Sequence, residues 1–193
     1  MPKSHFYAML SRMKYINRWG LMRNTRSENL SEHSLEVAFI AHALAIISKN
    51  RLGNTNVCPD AVAVAAMFHD TTEIITGDMP TPIKYYSLEI KDAYKKIEDI
   101  AENQLISMLP EDFKPEIISA YNMDEHTKKL VKAADKLSAL IKCIEELNIG
   151  NKEFSKAKKS TEKALKDLKL KEVDIFMDEF LDSFYLSLDE QKK

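Results

Sequence analysis

Near the middle of the chain, His69, Asp70 and Glu73 carry side chains suited to acid–base or metal chemistry. They close a run from Ala61 to Met67 that is apolar enough to lie in the centre of a folded molecule. Buried charges are costly unless paired or bound to metal, so a histidine and two carboxylates there require partners. If one helix runs from about Pro59 to Glu73, His69 and Asp70 stand four and three residues before Glu73, and all three can share a face. The same spacing also fits ordinary polar residues at a helix end. Next comes Thr76-Gly77-Asp78-Met79-Pro80-Thr81-Pro82, in which two prolines and a glycine make a stiff loop that holds Asp78 and Thr81 beside the helix end.

Three other places could supply partners. Asn29-Leu30-Ser31-Glu32 reads as a capping box, with Asn29 as N-cap, which puts His33 in the first turn of a helix reaching about Lys49. That helix is apolar nearly all round (Leu35, Val37, Phe39, Ile40, Leu44, Ile46, Ile47) and so should be central. His42, nine positions on, lies half a turn away from His33 and reads as a core or subunit-contact histidine. The polar stretch from Asn17 to Arg26 holds Arg18, Arg23, Arg26 and the only tryptophan, Trp19. Arginine forks bind phosphate oxygens and an indole can stack a base. Equally, Trp19 could anchor the loop to the core while the arginines are solvated. Asp135 lies on a helix capped by Asp124 and running to Asn148, with Leu130, Ala134, Leu137, Ile141 and Ile144 as its buried stripe. On the helical wheel alone Asp135 sits at the stripe's edge, beside Val131, Ser138 and Ala139, and reads as a solvated surface residue.

The elements that must position these residues are all helical. Glycine and proline are scarce and fall between segments of helical periodicity, and no stretch alternates with the two-residue period of a strand. Further helices are expected from about Ser4 to Ile16, from a cap at Ser87 to Leu109, from Glu153 to Leu170 and from Val173 to Leu186. The fold class is all-α, with residues 1–193 as one domain, a size that allows a substantial core. Net charge is −2, from 28 Lys and Arg against 30 Asp and Glu, which disfavours nucleic-acid polymers and anionic membranes as partners and favours a small molecule. No apolar run approaches the ~20 residues of a membrane span, and no signal peptide is seen at the start. Two cysteines, Cys58 and Cys143, both in apolar helical settings, suit a reducing, cytoplasmic compartment without disulfides.

The order His33, His69-Asp70, Asp135 in an all-α chain resembles the HD-domain metal-dependent phosphohydrolases. Two imidazoles and two carboxylates make a ligand set for one divalent transition metal with positions open to water and substrate. The likeness extends to Ser4-His5-Phe6, Ile16-Asn17-Arg18-Trp19, Leu21-Met22-Arg23-Asn24, Ser31-Glu32-His33-Ser34-Leu35, the Thr76 to Pro82 loop, Val131-Lys132-Ala133-Ala134-Asp135 and Phe184-Tyr185-Leu186-Ser187-Leu188-Asp189-Glu190. In order and over nearly the whole chain, these resemble the bacterial HD-domain 5′-deoxynucleotidases.

That resemblance implies a homodimeric HD-type helical bundle that hydrolyses deoxyribonucleoside 5′-monophosphates to deoxynucleoside and phosphate. It implies His33, His69, Asp70 and Asp135 as ligands of one divalent cation, often cobalt in vitro, with manganese or another transition metal as alternatives. Arg18 and Trp19 would bind and orient the phosphate, with His33 and Asp70 also facing the substrate. Asp78, Met79, Pro80 and Thr81 would contact its sugar side. Glu73 or Asp78 would move protons, and the sequence leaves both roles open to both residues.

Two other readings compete: an HD-fold phosphohydrolase for another nucleotide, and a non-catalytic nucleotide-binding regulator. A two-metal enzyme of this fold needs more histidine ligands. Only His5, His42 and His126 remain, and His42 and His126 lie half a turn from His33 and Asp135 respectively.

Overall fold

The computed structural model describes residues 3–84 and 86–192. In chain order its α-helices are α1 (Phe6–Leu10), α2 (Leu30–Asn50), α3 (Pro59–Phe68), α4 (Glu73–Thr76), α5 (Thr81–Lys84), α6 (Leu88–Ser107), α7 (Lys114–Tyr121), α8 (Glu125–Asn148), α9 (Ser155–Leu168) and α10 (Lys171–Phe180), with 3-10 turns at Ser11–Tyr15, Lys152–Phe154 and Leu181–Tyr185. Among the described residues the only β pairing is one antiparallel bridge, Asn17 with Asn29, so the fold is all-α as expected. The chain forms two compact units: residues 1–34 with 68–122, and residues 35–67 with 123–193.

The first unit is built on α6 and its neighbours. Ser87 caps α6 by accepting from the Ile90 N–H at 3.2 Å. Phe6 of α1 packs fully buried against Leu105 and Leu109, with Phe68 and Ile117 at the margin of this small core. A buried Tyr94 on α6 reaches the loop that follows α4. The expected first helix from Ser4 to Ile16 is instead one α turn followed by a 3-10 turn, with Phe6 and Met13 as its buried anchors.

The second unit holds the larger core. Val37, Ala41 and Leu44 of α2 meet Leu130, Leu137, Ile141 and Ile144 of α8, with Leu165, Val173 and Phe176 from α9 and α10. Asp124 caps α8, its carboxylate accepting from the backbone N–H of His126 and Thr127. Contrary to the expectation that no apolar run is long enough to span a membrane, the 21 residues of α2 are. Its Val37–Leu44 face is buried in this core, the setting of a central protein helix. The helix is apolar nearly all round but is not buried all round, because Leu35, Phe39 and Ile46 are exposed. His126 pairs with the buried Ser48 at 3.0 Å and lies 3.6 Å from Glu172. His42 lies 3.5 Å from Asp60, at the surface.

Candidate functional site

The expected helix from Pro59 to Glu73 ends at Phe68. Thr71, Glu73 and Ile74 then donate backbone N–H groups to the carbonyls three residues back, and α4 starts at Glu73. Glu73 therefore does not share a helix face with His69 and Asp70, because tight turns separate them. Those turns are pinned by Thr71. Its buried hydroxyl donates to the Phe68 carbonyl at 2.8 Å and meets Tyr121 Oη at 2.7 Å, while the Phe68 and Tyr121 rings stack edge-on. His69 and Asp70 thus project from a turn clamped by α7.

His33 is fixed by the capping box. Asn29 Oδ1 accepts the Glu32 N–H at 3.1 Å, and Glu32 Oε2 accepts the Asn29 N–H in return. The His33 side chain is fully buried, and its ring lies 5.4 Å from that of His69. His33 Nε2 and His69 Nε2 converge on one oxygen, Asp70 Oδ2, at 3.6 and 3.0 Å. Each of the three residues offers one ligand atom, all within 4.8 Å of one another. Two imidazole nitrogens and a carboxylate oxygen this close are a donor set that fits a divalent transition metal. Burial alone would raise the Asp70 carboxyl, but the charge of His69 and hydrogen bonds from His33 and His69 hold it well below the usual range. A carboxylate kept ionised is the form that ligates.

The Arg18–Trp19 segment belongs to the same place. The Asn17–Asn29 bridge closes its base, with Arg18 N–H donating to the Glu28 carbonyl and Leu30 N–H to the Ile16 carbonyl, each at 2.9 Å. Arg18 Nη1 donates to Asp70 Oδ2 at 3.3 Å and its Nε to Glu28 Oε1 at 3.1 Å. Trp19 is half-buried and sits at φ 59°, the left-handed region that a non-glycine residue enters at a cost of about 1–3 kcal/mol. Its indole N–H donates to Glu28 Oε2 at 3.0 Å. The indole is thus held by its edge to Glu28.

Sequence reasoning missed Glu28. Its Oε1 also lies 3.2 Å from His33 Nδ1, so one carboxylate serves Arg18, Trp19 and His33. Burial would raise its pKa, but the His33 hydrogen bond and the charges of His33 and Arg18 leave it lowered. One signal was available: Glu28 is the only acid between Asn17 and Asn29, a stretch with three arginines.

Glu73 is buried and its carboxyl is pushed up to about 9, by burial first and then by the charges of Asp70 and Asp78, which Arg18 and Lys84 only partly offset. Asp78 is raised too, again mainly by burial. The loop carrying Asp78 leaves α4 through Gly77 at φ 74° and ψ 161°, a conformation that needs glycine. Tyr94 Oη supports it through Thr76 Oγ1 at 3.1 Å and the Gly77 carbonyl at 3.4 Å, and Lys84, paired with Glu98 at 2.8 Å, lies over the Tyr94 ring. Met79 and Pro80 are half-buried in this loop. Thr81 opens α5, and its side chain lies outside the described residues. Asp135 lies on α8 in the second unit and is half-buried, not solvated as the wheel suggests.

The helical architecture is shared with HD-domain phosphohydrolases of known structure. An HD-domain phosphohydrolase from Listeria innocua superposes with a TM-score of 0.81 at 22% identity, covering 98% of this chain and 92% of that one. A cyanophage S-2L HD phosphohydrolase, solved with dA and one catalytic Zn2+ ion, gives 0.64 at 22% identity over 92% of this chain and 95% of its own. The chain belongs to the 5′-deoxynucleotidase YfbR-like family, whose model matches residues 5–184. A 5′-deoxynucleotidase from Photobacterium profundum is 52% identical, covering 98% of this chain and 99% of the relative.

Proposed function

We propose that the protein removes the 5′-phosphate from deoxyribonucleoside monophosphates at one divalent cation held by His33, His69, Asp70 and Asp135. The enzyme class, a 5′-deoxynucleotidase and so a phosphoric monoester hydrolase, follows from family membership over nearly the whole chain. The observation that carries the reading of the site is the convergence of His33 Nε2 and His69 Nε2 on Asp70 Oδ2. Asp135 is included as the fourth ligand on the family resemblance. When bound, the cation neutralises phosphate oxygens and lowers the pKa of a water toward neutrality.

The chain's own residues do the rest. Arg18 brings a fixed charge to the phosphoryl oxygens, oriented by Glu28, which also takes the Trp19 indole N–H. Glu73, whose carboxyl is pushed up to about 9 by burial and the charges of Asp70 and Asp78 in the cation-free chain, is suited to donate to the leaving 5′ oxygen. Asp78 then remains as the acceptor of the water proton, and Asp78 to Thr81 meet the sugar. Cobalt and manganese are the cations of choice for an assay, given a mixed nitrogen and oxygen donor set. A homodimer is supported by the exposed stripe of Leu35, Phe39 and Ile46 on α2, with Phe39 69% exposed. A cytoplasmic location is supported by two free cysteines, Cys58 and Cys143.

Purified protein with Co2+ or Mn2+, given dAMP and AMP separately, tests this reading. Phosphate is expected from dAMP in preference to AMP. Equal release from both would favour a broader nucleotidase, and none from any nucleoside monophosphate would favour a non-catalytic nucleotide-binding regulator.

A further inference from the structure

Glu28 is held between two of the groups assigned above and touches a third. Its Oε1 receives Arg18 Nε at 3.1 Å and lies 3.2 Å from His33 Nδ1, and its Oε2 receives Trp19 Nε1 at 3.0 Å. Its own backbone carbonyl takes the Arg18 N–H at 2.9 Å, so side chain and main chain both tie the Arg18–Trp19 segment to residue 28. The residue is half-buried, its side chain 13% exposed, which leaves little water to replace these contacts. With Nδ1 turned to a carboxylate, the His33 ring is fixed in orientation and Nε2 is aimed at the point it shares with His69 Nε2 and Asp70 Oδ2, where its lone pair would serve a bound cation.

We propose that Glu28 is a positioning residue that sets the tautomer and aim of His33 while holding Arg18 and Trp19 in place, so that one carboxylate aligns the cation site with the phosphate site. The proposal rests on the nucleotidase reading for the roles of Arg18 and Trp19, but its claim about His33 concerns cation affinity and needs no turnover. The two Glu28 oxygens divide the work. Oε1 orients the metal-side histidine and the arginine fork, and Oε2 holds the indole that keeps Trp19 in its left-handed backbone conformation.

That division makes the test specific. In full-length protein, Mn2+ affinity is measured by calorimetry, and kcat and KM for dAMP are measured at saturating Mn2+, for the unmodified chain, Glu28→Ala and Glu28→Gln. Glu28→Ala removes every side-chain contact and is expected to weaken Mn2+ binding on the order of 10- to 100-fold, the usual effect of losing an outer-sphere partner. Glu28→Gln keeps an oxygen for His33 and Arg18 but turns an amide donor toward the Trp19 N–H. It is expected to recover most of the Mn2+ affinity while KM stays raised.

A folded Glu28→Ala that binds Mn2+ like the unmodified chain would overturn the proposal. If Glu28→Ala does not fold, Glu28→Gln decides alone: a raised KM with near-normal Mn2+ affinity supports the proposal, and an unchanged KM overturns it. If the unmodified chain binds Mn2+ but releases no phosphate, the nucleotidase reading fails, and the Mn2+ affinities still decide whether Glu28 aims His33.

Discussion

Arg18 Nη1 donates to Asp70 Oδ2 at 3.3 Å, the same oxygen on which both histidines converge. Its Nε meanwhile is held by Glu28, so the guanidinium uses two edges of its fork at once. A lysine ammonium, a point charge on a flexible stem, cannot span both carboxylates. Arg18→Ala is therefore expected to lower kcat for dAMP by about 10²–10³-fold, the scale of losing one transition-state charge partner. Arg18→Lys should recover little of it. Near-complete recovery by lysine in steady-state kinetics would mean that only the charge matters.

Glu73 gives a pH signature in the chelator-treated protein. A carboxyl whose folded pKa is raised, here from 4.5 to about 9, holds its proton more tightly in the folded state. Its contribution to stability is complete below its unfolded pKa and is lost as pH rises toward the folded one. Stability should fall over that window by at most ~1.4 kcal/mol per pH unit from this group. Asp78, also raised, acts in the same direction. Thermal melts from about pH 5 to pH 9 should show a declining Tm that Glu73→Gln flattens. An identical slope in Glu73→Gln would show that Glu73 titrates normally.

The loop that follows α4 leans on Tyr94 through Thr76 and the Gly77 carbonyl. Tyr94→Phe removes both hydrogen bonds and keeps the ring under Lys84, so the fold should lose only about 1 kcal/mol. Discrimination between dAMP and AMP, read as the ratio of kcat/KM values, is expected to narrow in Tyr94→Phe and more so in Asp78→Ala. Unchanged ratios in both would place selectivity elsewhere.

Much of this was legible in the chain because the signals were local. The Ser87 and Asp124 caps, the Asn29–Glu32 box and the helical class depend on residues within a turn of each other, and all four are present. The helix from Pro59 to Glu73 failed because periodicity does not register a pair such as Thr71 and Tyr121, 50 residues apart, that favours tight turns over a continued helix. Glu28 escaped because its three partners meet only once the loop closes through Asn17 and Asn29. Half-burial of Asp135 likewise depends on packing that a helical wheel does not contain.

Asp135 is where resemblance and helical pattern pointed in opposite directions. Asp135→Ala is expected to abolish cation-dependent phosphate release while leaving far-UV circular dichroism unchanged. A near-normal rate would remove Asp135 from the ligand set.

The central claim, one cation on a two-histidine, two-aspartate set driving dAMP hydrolysis, is tested most directly by stripping the protein with a chelator and restoring Mn2+ in measured amounts while following phosphate release. Activity should vanish on stripping and return in full at one bound Mn2+ per chain. Undiminished activity after complete stripping, or full activity only at two bound cations per chain, would contradict it.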